Sequence, residues 1–163
     1  MKRMLVTLLT LFAILSLLSV PALAGPPTAA YGLWQYKPTI EDVRMADGNT
    51  FLETSEEGLW TGTFVGESTE AGHVVIYRTG FWSFRGTVSF SQVTVDGESG
   101  TLEMSVVGSR PDAFTDWQGR WVILSGTGDL ATLRGQGTWW GPGAPDVGQW
   151  GDIYYEGQIH FEP

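Results

Sequence analysis

From Tyr31 to the end of the chain, apolar and polar residues alternate in short runs, separated every eight to twelve residues by Gly, Asp or Pro. A β-strand points successive side chains to opposite faces, so a half-buried strand must alternate in this way. The run from Phe81 to Phe90 is the clearest, setting Trp82, Phe84, Val88 and Phe90 against Ser83, Arg85, Thr87 and Ser89. Leu59 to Val65 sets Trp60 and Phe64 against Thr61 and Thr63, and Thr101 to Val107 sets Leu102, Met104 and Val106 against Thr101, Glu103 and Ser105. His73 to Thr79 alternates less cleanly, while Asp152 to Phe161 opposes Ile153, Tyr155, Ile159 and Phe161 to polar neighbours and Tyr154. Arg120 to Ser125 places Trp121 and Ile123 on one side and Val122 and Leu124 on the other, which predicts a strand covered on both faces.

Strands at Tyr31 to Lys37, near Thr50 to Glu53 and at Gln136 to Trp140 bring the count to eight or nine, enough to close a small barrel. The parity slips at Ser91-Gln92, between Phe90 and Val93, which predicts a β-bulge. Asp96-Gly97-Glu98-Ser99-Gly100 reverses the chain in a short connection. No stretch beyond the first two dozen residues sustains a capped 3.6-residue period. The expected fold is all-β: one antiparallel eight-stranded barrel over residues 31–163, preceded by a linker at 25–30 (GPPTAA).

The first 24 residues read differently. Lys2 and Arg3 precede an apolar run from Met4 to Val20, and Pro21-Ala22-Leu23-Ala24 ends it with small residues at the A-x-A spacing of a cleavable export signal. An uncleaved anchor would want about 20 apolar residues, and Pro21 interrupts the run early. Cleavage after Ala24 predicts a secreted or periplasmic domain with no membrane span. Of its charges, seven are basic and eighteen acidic, a net charge of −11. Such a chain lacks the clustered Lys and Arg that nucleic acid requires. Acidity of this kind serves solubility. There is no cysteine, so neither thiolate chemistry nor disulfides contribute, and packing alone must hold the domain.

The most distinctive segment is Ser125-Gly126-Thr127-Gly128-Asp129-Leu130-Ala131-Thr132-Leu133-Arg134-Gly135-Gln136-Gly137. Gly126, Gly128 and Ala131 match a dinucleotide fingerprint, but that motif opens a helix in a βαβ unit, and Gly135 and Gly137 leave room for only a turn or two. A single helical turn over Asp129 to Leu133, pinned by Leu130 and Leu133, fits better. This segment, with the preceding VDGESGTLEMSVVG hairpin, resembles the allene-oxide-cyclase-like barrels, in particular their uncharacterised bacterial branch, over roughly Leu59 to Phe161. The resemblance implies an eight-stranded antiparallel barrel with an apolar lumen, often assembled as a homo-oligomer. Members with known chemistry steer a cyclisation in that lumen with shape, one carboxylate and an ordered water. The matching positions are structural glycines and leucines, so no catalytic residue carries over.

Gly32-Leu33-Trp34 and Gly58-Leu59-Trp60 also match the short G-x-W that opens lipocalin barrels, and are read as strand starts. Of the eight tryptophans, Trp60, Trp82, Trp121 and Trp139 fall on the apolar face and fill the barrel. Trp34, Trp117, Trp140 and Trp150 are left as candidates for stacking sugars at the surface. His73 and His160 have no second histidine at ligand spacing, so no metal is expected. The G-x-S-x-G hydrolase elbow is absent. Glu56-Glu57, Asp96-Gly97-Glu98 and Asp146 to Asp152 read as solvated acidic loops. Glu67, Arg85 and Glu103 would be functional if they faced a dry lumen, and parity turns Arg85 and Glu103 outward.

These observations favour a barrel that holds a small apolar ligand without a cofactor, lined by Trp60, Phe64, Trp82, Phe84, Phe90, Met104, Trp121 and Trp139. An isomerase or cyclase would need a carboxylate inside the lumen. A glycan-binding module would need exposed, coplanar tryptophans.

Overall fold

The computed structural model describes residues 25–144 and 146–163; the expected export signal lies outside the described residues. Eight strands follow one another in the chain: β1 (Thr28–Ala46), β2 (Asn49–Gly62), β3 (Phe64–Ile76), β4 (Trp82–Val95), β5 (Glu98–Arg110), β6 (Trp117–Gly126), β7 (Leu133–Gly143) and β8 (Gly151–Phe161). Each pairs antiparallel with the next, and β1 returns to β8, so the sheet closes into a barrel. Closure removes the long free edges that open sheets must otherwise manage, although β1 runs on past Tyr36, where its pairing with β8 ends.

The strands exceed the alternating runs. β1 takes in Thr28, Ala29 and Ala30, which had the composition of a linker, because they supply the ladder to Ile159, Gln158 and Gly157 that closes the barrel. At its other end β1 runs through Pro38. The Pro38 carbonyl accepts a hydrogen bond from Gly148 N–H at 2.8 Å, on the side where pairing with β8 has already ended, so the missing proline N–H breaks no rung. The run Leu59 to Val65 is divided: Gly62, at φ +99°, turns the chain, and Phe64 begins the next strand. Tyr155 Oη locks this corner, donating to Thr61 O at 3.0 Å and accepting from Phe64 N–H at 3.1 Å.

The slip between Phe90 and Val93 is present as a register shift against β5. A 3-10 turn at Gly128–Leu130 stands where the helical turn was expected. Leu130 and Leu133 are wholly buried, so the glycine-rich segment acts as the barrel's plug. With Phe64, Val95 and Ile159 they close the end at which β2 meets β3, β4 meets β5 and β6 meets β7. The covered strand is not found: Val122 and Leu124 point outward from β6 and are exposed, because no second layer lies over this sheet.

Inward-facing glycines decide how the aromatic rings fit. Gly137 and Gly157 are cross-strand partners, and a Cβ on either would lie 2.5 to 2.6 Å from the Trp121 ring. Gly108 and Gly119, also partners, sit beneath Trp139 in the same way. Bare backbone is the only wall thin enough to admit an indole across so narrow a barrel.

Candidate functional site

The lumen has two halves. Trp60, Phe64, Phe90, Met104 and Trp121 fill the plugged half and are all but inaccessible to solvent. Their rings interlock: Phe64 meets Trp121 edge-on at 5.6 Å, and Trp60 meets Phe90 at 5.4 Å. These five expected lining residues are core. Trp82, Phe84 and Trp139, the remaining three, border a cavity of about 250 Å³ in the other half.

That cavity opens where β1 meets β2, β5 meets β6 and β7 meets β8, since Pro38, Ile40, Leu52, Arg110 and Val147 line it as well. Its inner boundary is Trp34, stacked on Trp60 with centroids 4.9 Å apart and an 11° interplanar angle. Trp117 forms a side wall, edge-on to Phe84 at 6.1 Å. Neither Trp34 nor Trp117 is a surface residue, then: they are 3% and 8% exposed. Trp140 and Trp150 do reach solvent, the former stacked on Tyr154 and the latter beneath the Lys37 ammonium.

Two carboxyl groups lie at this aromatic chamber, one on its wall and one directly behind. Glu56 on β2 and Glu70 on β3 are direct cross-strand partners, and both side chains point inward. Glu56 borders the cavity. The solvated loop expected at Glu56-Glu57 is not found: Glu56 lies in mid-strand, one step out of phase with the exposed Glu57. Glu70 is 4% exposed and sits against the backbone of Gly86, where a Cβ would overlap its Oε1. Gly86 pairs with Gly72 across β3 and β4, giving this carboxyl and the Phe84 ring their space.

Burial raises the pKa of both groups, because removing water penalises the charged form. It lifts Glu56 to about 7; the Thr54 hydroxyl beside it opposes the shift without making a well-formed hydrogen bond. Glu70 is pushed well above the ordinary carboxylate range, first by burial and then by the charge of Glu56. Two like charges placed directly opposite repel, so the pair holds at least one proton more readily than two isolated carboxylates would.

Among the described residues, neither carboxyl belongs to an ion pair. Both Glu70 oxygens, Thr54 Oγ1 and Trp34 Nε1 are buried without a hydrogen-bond partner. Arg110 Nε, on a residue at the mouth, is a fifth, and so many in and behind one chamber stand out, since folded proteins pair nearly all their buried polar groups.

At the mouth, the Arg110 guanidinium lies 4.0 Å from the Trp82 ring centre and 4.7 Å from that of Trp117. Tyr36 Oη accepts a hydrogen bond from Ala144 N–H at 2.9 Å, tying β1 to the loop after β7. Burial pushes its phenol up to about 12, so it stays neutral. No group of three or more His, Asp or Glu side chains able to hold a metal occurs among the described residues. Glu67, Arg85 and Glu103 all point outward.

Fold and site together define a class: a closed eight-stranded antiparallel barrel, plugged at one end, with an aromatic, acid-floored chamber at the other. No family model matches the sequence, and no curated protein matches it. Among solved structures, one similar chain is a DUF3224-family protein of unknown function from Shewanella oneidensis MR-1. It aligns with a TM-score of 0.65 at 18% identity over 85% of this chain and 99% of that one. The pterocarpan synthase dirigent protein GePTS1 aligns with a TM-score of 0.50 at 11% identity, over 85% of this chain and 92% of that one. At these identities the likeness is one of fold.

Proposed function

We propose that this barrel is a binding cup for a small, largely aromatic or aliphatic molecule carrying at least one polar group. The observation that carries the reading is the open chamber of about 250 Å³, in which indole and phenyl walls surround buried polar atoms that have no partner within the protein. Binding pockets of this kind combine apolar walls with a few convergent polar groups. A volume this size suits a molecule of one or two rings. The N-terminal pattern of Lys2, Arg3, an apolar run and Ala22-Leu23-Ala24 supports a cup that works outside the cytoplasm.

The test is intrinsic tryptophan fluorescence, because Trp34, Trp82, Trp117 and Trp139 all border the chamber. Saturable quenching or a spectral shift with small one- and two-ring compounds is the expected result. A flat response across such a panel, with nothing retained in native mass spectrometry of the purified protein, would overturn the reading.

A second reading, an isomerase or cyclase, is favoured by one specific finding: the lumenal carboxyls that such chemistry requires are there, as Glu56 and Glu70. The likeness of the GTGDLATLRGQG segment to allene-oxide-cyclase-like barrels supports the same reading. It predicts that any turnover detected disappears in both Glu56→Gln and Glu70→Gln.

A further inference from the structure

We propose that the molecule this cup is built to hold is a small organic amine, bound as its ammonium ion with the charged nitrogen against Glu56, which Glu70 backs, and its carbon skeleton among the indoles. The inference rests on the binding reading above and names its chemical class.

Three independent features converge on a cation. The first is the pair of carboxyls, directly opposite each other and jointly buried, with no Lys, Arg or His paired to either among the described residues. A protein that buries a carboxylate for structural reasons ordinarily pairs it. The second is hydrogen-bond valence: the protein gives the Glu70 oxygens behind Glu56 no donor, and an ammonium group at Glu56 brings up to three. The third is the wall. Trp34, Trp82, Trp117 and Trp139 present π-systems to the chamber, and the negative face of an indole attracts a cation by about 0.5 to 2 kcal/mol, more as water is excluded.

The other ionisable groups facing the chamber leave its deep wall to Glu56, with Glu70 behind it. From β1 comes Tyr36, held neutral, and from β5 comes Arg110, whose guanidinium is taken up at the mouth by Trp82 and Trp117. Asp146 borders the chamber from the loop between β7 and β8, while β4, β6, β7 and β8 contribute aromatic or aliphatic side chains. The Thr54 hydroxyl and Trp34 N–H, also unpartnered, leave room for one additional polar atom on the ligand.

Proton balance follows directly. The ammonium enters with its protons, one carboxyl of the pair gives up a proton to solvent, and no covalent bond changes. Amine binding should therefore strengthen as pH rises from 5.5 to 8, whereas a neutral ligand of the same shape should not respond.

The experiment compares 2-phenylethylamine, 2-phenylethanol and phenylacetate, which differ chiefly in the charge at one end, by calorimetry and tryptophan fluorescence on the chain from Gly25 onward. At pH 8 the amine is expected to bind about tenfold more tightly than the alcohol, with phenylacetate weakest. In the folded Glu56→Gln/Glu70→Gln variant, confirmed by its thermal transition, that preference should vanish. If the alcohol or phenylacetate binds as well as the amine, or if the preference survives in the double variant or ignores pH, the amine assignment is overturned while the cup remains. If none of the three binds at any pH, the assignment and the broader binding reading fall together.

Discussion

Glu56 and Glu70 face each other across the β2–β3 ladder with both carboxyls inside the barrel. Because burial raises both pKa values, the native protein binds more protons than the unfolded chain at mildly acidic to neutral pH. Stability should accordingly be greatest below about pH 4.5, as far as these groups decide it, and fall as pH rises. Glu56 contributes a loss of about 3 kcal/mol between 4.5 and 7, and Glu70 extends the decline upward. Glu56→Gln, which removes the charge, should raise the melting temperature at pH 8 by roughly 10 °C and leave it almost unchanged at pH 4. Calorimetric melts at the two pH values check this.

The glycines beneath the indoles make a steric prediction. Gly137→Ala or Gly157→Ala would drive a methyl group into Trp121 and the facing backbone, with no flexible chain end to yield. Either should cost about 3 kcal/mol, against a negligible cost for Gly25→Ala, where a Cβ meets nothing. Urea unfolding followed by tryptophan emission separates the two cases.

Leu130 on the 3-10 turn is the keystone of the plug and has no exposed surface. Leu130→Ala should destabilise the barrel by about 2 to 5 kcal/mol. The damage should concentrate at that end, so amide exchange should accelerate at Gly100, Gly126 and Thr127, the residues around it.

At the mouth, Arg110 spans Trp82 and Trp117 by cation–π contact. Arg110→Ala should lower stability by no more than about 1 kcal/mol yet quicken both arrival and departure of any chamber ligand. Stopped-flow fluorescence would show rates rising together, with a smaller change in the equilibrium constant.

Parity carried the fold further than it carried the site. It placed Trp60, Phe64, Trp82, Phe84, Phe90, Met104, Trp121 and Trp139 inward, and all eight are inward. The same rule extended backwards from Trp60 passes through Gly58, Glu56 and Thr54, and from Trp121 through Gly119 to Trp117. Glu56 and Trp117 were therefore within its reach. Both are masked, Glu56 because Glu57 beside it gives the look of a solvated acidic loop, and Trp117 because a glycine inside a run reads as the end of a strand. In this barrel mid-strand glycine does the opposite, thinning the wall under a ring. The sequence cannot reveal which glycine lies under which tryptophan, or that Glu70 stands opposite Glu56, because both depend on the stagger between strands that closure imposes.

The plug at Leu130 gives the barrel a single direction of access. With one end sealed by the chain's own leucines and the chamber opening only at the other, the barrel is a dead-end vessel and not a conduit. If the proposed binding role holds, an occupant would have to leave past Arg110 before a successor could enter, exchange would proceed one molecule at a time, and two different occupants would compete for the site without ever passing each other.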